Sequence, residues 1–214
     1  VKTIICQQNT PEWETARLGI PTASEFSRIV TAVKGDLSAS AGKYAAALVA
    51  ETLLRRPLLK PPFSSMAMER GKMLEPLAAQ QYEFEHDVET TRAGFATTDD
   101  GRWGCSPDRL IVGTKAGVEI KCTLDEQHMS IFGEGPGTDY KQQVQGSLLI
   151  SDFDWWDLYA YHDELPPATI RTYRDEPYIA KMRSALNQFC EIRDKMLEKA
   201  LATGYFQERL KAAA

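Results

Sequence analysis

Two short segments of this 214-residue chain carry residue types that can do chemistry together: Cys105-Ser-Pro-Asp108 and Val118-Glu-Ile-Lys121. Side chains alternate along a strand, so Glu119 and Lys121 are expected to project from one face. Asp108, on the preceding strand and joined by a short turn, can approach that face. Two carboxylates beside one ammonium suit a hard cation such as Mg²⁺, which takes oxygen ligands, and the Ile120 carbonyl can add another oxygen. Such an ion acidifies a bound water and stabilises charge on a phosphodiester under attack. Lys121 can orient that water or neutralise the pentavalent phosphorus. A second ion arriving with substrate would draw in Glu75, whose helix precedes the sheet. A surface hairpin can carry this pattern by chance; the elements around it decide.

Those elements read as helices at Ala23–Val30, after the possible cap Thr22, and Ala41–Leu54, where Tyr44, Leu48, Val49 and Leu53 keep helical spacing. Arg55 to Phe63 is a proline-broken loop, and Ser64 or Ser65 caps a helix through Glu75 to Phe84, kinked or restarted at Pro76. Three strands follow, at Val88–Thr97, Trp103–Val112 and Val118–Cys122, separated by the turns Asp99–Gly101 and Gly113–Gly117. Phe132–Gly137 is a glycine-rich loop, Asp139–Ile150 a helix, and Trp155–His162 and Thr169–Tyr173 strands about a Leu165-Pro-Pro167 turn. From Pro177 to Leu201 an apolar stripe (Ile179, Met182, Leu186, Phe189, Met196, Leu201) marks a core-packed helix. Met66 and Met68, which open the Glu75 helix, are expected in the core rather than as wedges between base pairs.

Composition excludes several classes. No apolar run approaches the roughly 20 residues that span a bilayer, and the opening Val1-Lys-Thr-Ile-Ile-Cys6 is too short and too soon polar for a signal peptide. A soluble, cytoplasmic protein without membrane contact is expected. The four cysteines (Cys6, Cys105, Cys122, Cys190) include no CxxC pair, so reduced, mostly buried thiols are expected rather than a zinc ribbon or an iron–sulfur cluster. His86, His128 and His162 lack paired ligand spacing and are assigned surface or supporting roles. No GxSxG elbow, P-loop or dinucleotide fingerprint occurs, so no nucleotide cofactor is expected. The net charge of −5 is a weak guide, because only a DNA-facing surface need be basic; Arg55-Arg56, Lys60 and Arg70-Lys72 can form such a patch.

An upstream helical glutamate, a hairpin bearing Asp108, Glu119 and Lys121, and a downstream helix with Tyr140, Gln143 and Gln145 resemble the PD-(D/E)XK nuclease superfamily. The implied fold is α/β: a restriction-endonuclease-like core, a mixed central sheet flanked by helices. Within it the chain resembles more narrowly the lambda exonuclease family (YqaJ-type viral recombinases). The matching stretches are Trp13 with Ala16-Arg-Leu-Gly19, Thr22-Ala-Ser-Glu25, Gly71 through Glu75, Cys105–Asp108 with Glu119–Cys122, and Tyr140 with Gln143-Val-Gln145. One nuclease domain over 1–214 is expected: a helical part (1–62), the core (63–175) and a C-terminal helix (176–214).

The resemblance implies a Mg²⁺-dependent 5′→3′ exonuclease, with Mn²⁺ substituting. It would digest one strand of linear duplex DNA to 5′-mononucleotides and leave a 3′ single strand for an annealing partner. It also implies a homotrimer, a phage or prophage origin, catalytic Asp108, Glu119, Lys121 and Glu75, and metal donors Asp108, Glu119, Ile120 and Glu75. Arg17, Ser24, Ser106 and Gln143 would bind the 5′-phosphate of the end, with Tyr140 on the DNA beside them. Arg109 stands where the best-known members have glycine. The alternatives are a PD-(D/E)XK endonuclease and a catalytically inactive DNA-end-binding recombination protein.

Overall fold

The structure is a computed structural model that describes residues 1–4, 6–58 and 66–206. Strand β1 (Lys2–Ile4) is followed by α1 (Pro11–Arg17), a 3₁₀ helix (Ala23–Arg28), α2 (Ala41–Leu54) and α3 (Met66–His86). Then come β2 (Thr90–Thr91), β3 (Phe95–Thr97), β4 (Gly104–Cys105), β5 (Arg109–Ile111) and β6 (Ala116–Cys122). The chain finishes with α4 (Asp125–Glu134), α5 (Lys141–Ser151), β7 (Trp155–Tyr161), β8 (Ala168–Tyr173) and α6 (Glu176–Ala202).

The central sheet has the order β2-β5-β6-β7-β8, with β6 and β7 parallel and the other pairs antiparallel. It is the expected mixed sheet flanked by helices. Alternation along β6 and β7 divides its two faces. Val118, Ile120 and Tyr159 meet Ala78, Ala79 and Tyr82 of α3, while Trp156 meets Val144 and Leu148 of α5 on the other side. Gly117 permits that second packing, because a Cβ there would lie 2.5 Å from the Trp156 ring. A third core joins α2, α6 and the 3₁₀ helix through Phe26, Tyr44, Leu48, Leu186 and Phe189.

Several expectations need correction. The runs Val88–Thr97 and Trp103–Val112 are not single strands. Each crosses between the central sheet and a small sheet of order β1-β3-β4, giving β2 and β3 from the first and β4 and β5 from the second. Pro107, lacking an N–H, lies in the second break. Ala23–Val30 shortens to a 3₁₀ helix, and α3 runs through Pro76 without the restart that was one of the two expectations there. The predicted loop from Phe132 begins only after α4, which with α1 and β1 was not anticipated. Met66 and Met68 are not core: they are 91% and 46% exposed, because α3 is buried only in its later turns, at Ala78, Ala79 and Tyr82. Ser64, Ser65, Lys60 and the loop from 59 to 63 lie outside the described residues. No helix among the described residues is long and apolar enough to cross a membrane.

Candidate active site

Strand β6 presents Glu119 and Lys121 toward α5. The Lys121 Nζ donates to Glu119 Oε1 at 2.8 Å and, more loosely, to Gln143 Oε1 at 3.4 Å, and lies 5.3 Å from the centre of the Tyr140 ring. Asp108 occupies the bend just before β5 rather than the strand itself. The β5–β6 register ends at Arg109 opposite Val118. There the Ile120 N–H, which points toward β5, donates to Asp108 Oδ2 at 2.7 Å. The sequence Pro-Asp thus ends a ladder and caps it with a carboxylate.

This pairing strains Asp108 electrostatically. Burial, then the Glu119 charge, raises its carboxyl well above the ordinary range, against the pull of Lys121 and the Ile120 N–H. For Lys121, burial acts to discharge the ammonium, but Glu119 and Asp108 outweigh it and hold the proton more tightly than usual. Opposed carboxylates with one oxygen each already hydrogen-bonded make a donor set that fits a hard divalent cation. Glu75 reaches the same region from α3, across a cleft of about 400 Å³ that it lines with Asp108, Cys6, Gln7, Gln8, Arg92 and Ala93. Among the described residues, no three Asp, Glu, His or Cys side chains converge tightly enough to cage an ion alone. The expected donors therefore fall into a close Asp108–Glu119 pair around Ile120, with Glu75 across the cleft.

The residues expected to hold a 5′-phosphate divide into two groups. Arg17 stacks on Trp13, 3.9 Å from its ring centre, and donates to Thr22 Oγ1 at 3.1 Å; the Thr22 and Ser24 hydroxyls are 3.3 Å apart. The Trp13 indole N–H donates to Ser106 Oγ at 2.9 Å, which brings this cluster within two residues of Asp108. Burial presses the Arg17 guanidinium below its usual range, opposed by Tyr44, Glu25 and Glu51, and Arg17, Trp13 and Thr22 line a cavity of about 170 Å³. Gln143 is instead on Lys121, and the Tyr140 hydroxyl accepts from Gln127 at 3.0 Å. Cys105 links the two groups: burial first, then Glu119, pushes its thiol up to about 12, and Arg17 pulls it back.

Other candidates settle differently. Cys105 and Cys190 are buried, Cys6 and Cys122 half-buried, and none is in a disulfide. His128 and His162 are buried rather than at the surface, with ring centres 5.4 Å apart, and are held by Thr123, Pro166 and Asp125. The basic patch is partly spent, since Arg70 bonds the Thr123 carbonyl and Asp163, and Lys72 pairs with Glu69. Sequence reasoning passed over Trp13 and Thr22 as site residues, although both fall within its matching stretches. It also missed Gln8, which no local pattern marks: its amide donates to the Ala93 carbonyl at 3.0 Å and the Pro107 carbonyl at 2.7 Å.

Comparison with known proteins identifies a family and a shared fold. Residues 12–154 match the YqaJ-like viral recombinase domain. The alkaline exonuclease LHK-Exo from Laribacter hongkongensis superposes with a TM-score of 0.81 at 29% identity, covering 91% of this chain and 98% of that one. Its complex with dAMP gives 0.79 at 29% identity, covering 96% and 100%. A phage-related exonuclease from Haemophilus somnus 129PT shares the fold, with a TM-score of 0.69 at 14% identity over 85% and 96% of the two chains. No curated protein matches in sequence. With its motif segments assembled at one end of the sheet and the match spanning most of its length, the chain belongs to the YqaJ-like viral recombinase family.

Proposed function

We propose that this chain is a divalent-cation-dependent 5′→3′ exonuclease of duplex DNA ends. The family and the 29%-identical alkaline exonuclease support a DNA exonuclease in general. The observation that carries the finer reading is the adjacency of two clusters: Lys121 on Glu119 beside Asp108, and Arg17 with Thr22, Ser24 and Trp13-held Ser106.

Asp108, Glu119 and the Ile120 carbonyl would hold Mg²⁺ or Mn²⁺, with Glu75 completing the environment. When bound, the cation supplies Lewis-acid charge at the scissile phosphate and an acidified water. Lys121, kept protonated, donates to a non-bridging phosphate oxygen, where charge accumulates during attack. Gln143 gives the same ammonium a second, looser acceptor. Arg17, braced flat on Trp13, presents its fork to the terminal 5′-phosphate, and the Thr22, Ser24 and Ser106 hydroxyls add neutral donors. Anchoring the end there sets the cut one nucleotide inward, so 5′-mononucleotides leave; the dAMP complex of LHK-Exo fits such a product. The remaining 3′ strand is the substrate of a single-strand annealing partner, in a phage or prophage recombination pathway inside a bacterial host.

The test is digestion of one linear duplex labelled separately at each 5′ and 3′ end, with a covalently closed circle alongside. Early release of both 5′ labels as mononucleotide, with the circle intact, is expected. Release from the 3′ ends or cutting of the circle overturns the reading.

A further inference from the structure

The cleft shared by Asp108 and Glu75 has a basic wall that the chemistry above leaves unused. Arg92 lines it beside Gln7, Gln8 and Ala93. The Arg92 side chain is exposed, immediately after the edge strand β2, and makes no hydrogen bond or ion pair among the described residues. Its backbone is nevertheless fixed against the active site. The single amide of Gln8 ties the Ala93 carbonyl, one residue after Arg92, to the Pro107 carbonyl, one residue before Asp108. Both points are where the chain passes between the two sheets.

A second arginine, Arg109, opens β5 directly after Asp108. Arg109 Nε is buried without a hydrogen-bond partner. Arg109 forms no ion pair among the described residues. Guanidinium forks match phosphate oxygens in shape as well as charge. A chain of net charge −5 that admits a polyanion beside its own carboxylates needs such local cations at the cleft.

We propose that Arg92 binds a backbone phosphodiester of the DNA next to the one being cut, at a subsite separate from the Arg17 cavity. The two cavities share no lining residue, and Ser106, bonded to Trp13 of the first, is two residues from Asp108 of the second. A strand anchored at Arg17 therefore runs past Asp108 and places a further phosphate on Arg92. The proposal rests on the nuclease reading above.

The experiment is equilibrium binding of the full chain to a labelled linear duplex across a KCl series, with Ca²⁺ in place of Mg²⁺ to suppress cutting. Wild type, Arg92→Ala and Arg92→Lys are compared on 5′-phosphate and 5′-hydroxyl ends. Arg92→Ala is expected to bind several-fold more weakly and to flatten the log K against log salt slope by about 0.9, equally on both ends. Arg92→Lys should keep the slope. A slope unchanged in Arg92→Ala overturns the proposal. So does a change confined to Mn²⁺ affinity measured by calorimetry without DNA, which places Arg92 only in the field of the carboxylates. Failure of the nuclease reading looks different: wild type then releases no nucleotide, whereas failure of the Arg92 subsite leaves wild-type digestion intact and Arg92→Ala matching it. Wild type that binds no duplex overturns both.

Discussion

Lys121 and Arg17 are both cations in partly buried places, and neighbours decide what each can do. Lys121 keeps its proton because Glu119 and Asp108 surround it; Arg17 is depressed by burial yet braced by Trp13 and Thr22. Arg17 is therefore assigned to the chain end. Arg17→Ala is expected to erase a preference for 5′-phosphorylated over 5′-hydroxyl ends, mainly through KM, when initial rates on the two duplexes are compared. Arg17→Lys should restore it only in part, since an ammonium lacks the fork. Equal rates on both ends for wild type would remove the pocket. At this scale the sequence was informative where side chains act through spacing: Glu119 and Lys121 share a face because they are two apart on a strand. It was silent on Gln8 and Arg92, single polar residues whose importance comes from two chain crossings that meet only in the fold.

The strand β6 and the helices on either side position these groups, and their packing sets testable limits. Gly117 lies under the Trp156 ring, so a methyl group there would meet buried aromatic carbon at 2.5 Å. Gly117→Ala is expected to cost about 1–3 kcal/mol, seen as a lower urea midpoint with an unchanged slope; an unaltered midpoint would refute the tight contact. At the start of α6, Asp175 accepts from the Tyr178 N–H at 3.1 Å and from Lys141 at 3.2 Å. The backbone bond and then Lys141 hold its carboxyl below the usual range. Because the folded value lies below the unfolded one, near 3.9, the stabilisation is full above that pH and is lost as pH falls through the lower folded value. Asp175→Ala should cost about 1 kcal/mol at neutral pH, and the gap from wild type should narrow in acid denaturation. Helices α2 and α6 were legible because each buries a periodic face, β8 because it alternates, and β6 and β7 because they are short runs buried on both faces. The runs Val88–Thr97 and Trp103–Val112 were not, since alternation looks the same whether a run pairs with one sheet or two. Helix α4 was hidden for the opposite reason, as it buries only His128 and Ile131.

For the whole molecule, the net charge of −5 sits beside a site that must accept DNA, so basic residues have to be placed locally rather than in excess. We propose the homotrimer that the family resemblance implies, so light scattering under native conditions is expected to give three times the chain mass; a monomer would count against it. The family's fold supplies the frame, and the proposed function assigns hydrolysis to Asp108, Glu119 and Lys121 around the end of β6, with Glu75 across the cleft. Release of acid-soluble nucleotide from a linear duplex in Mg²⁺, by wild type and by Lys121→Ala with duplex binding measured in parallel, probes that assignment. Wild type should digest the duplex and stop when the cation is chelated, and Lys121→Ala should lose at least about 10²-fold in rate while still binding the end. Normal digestion by Lys121→Ala would contradict it.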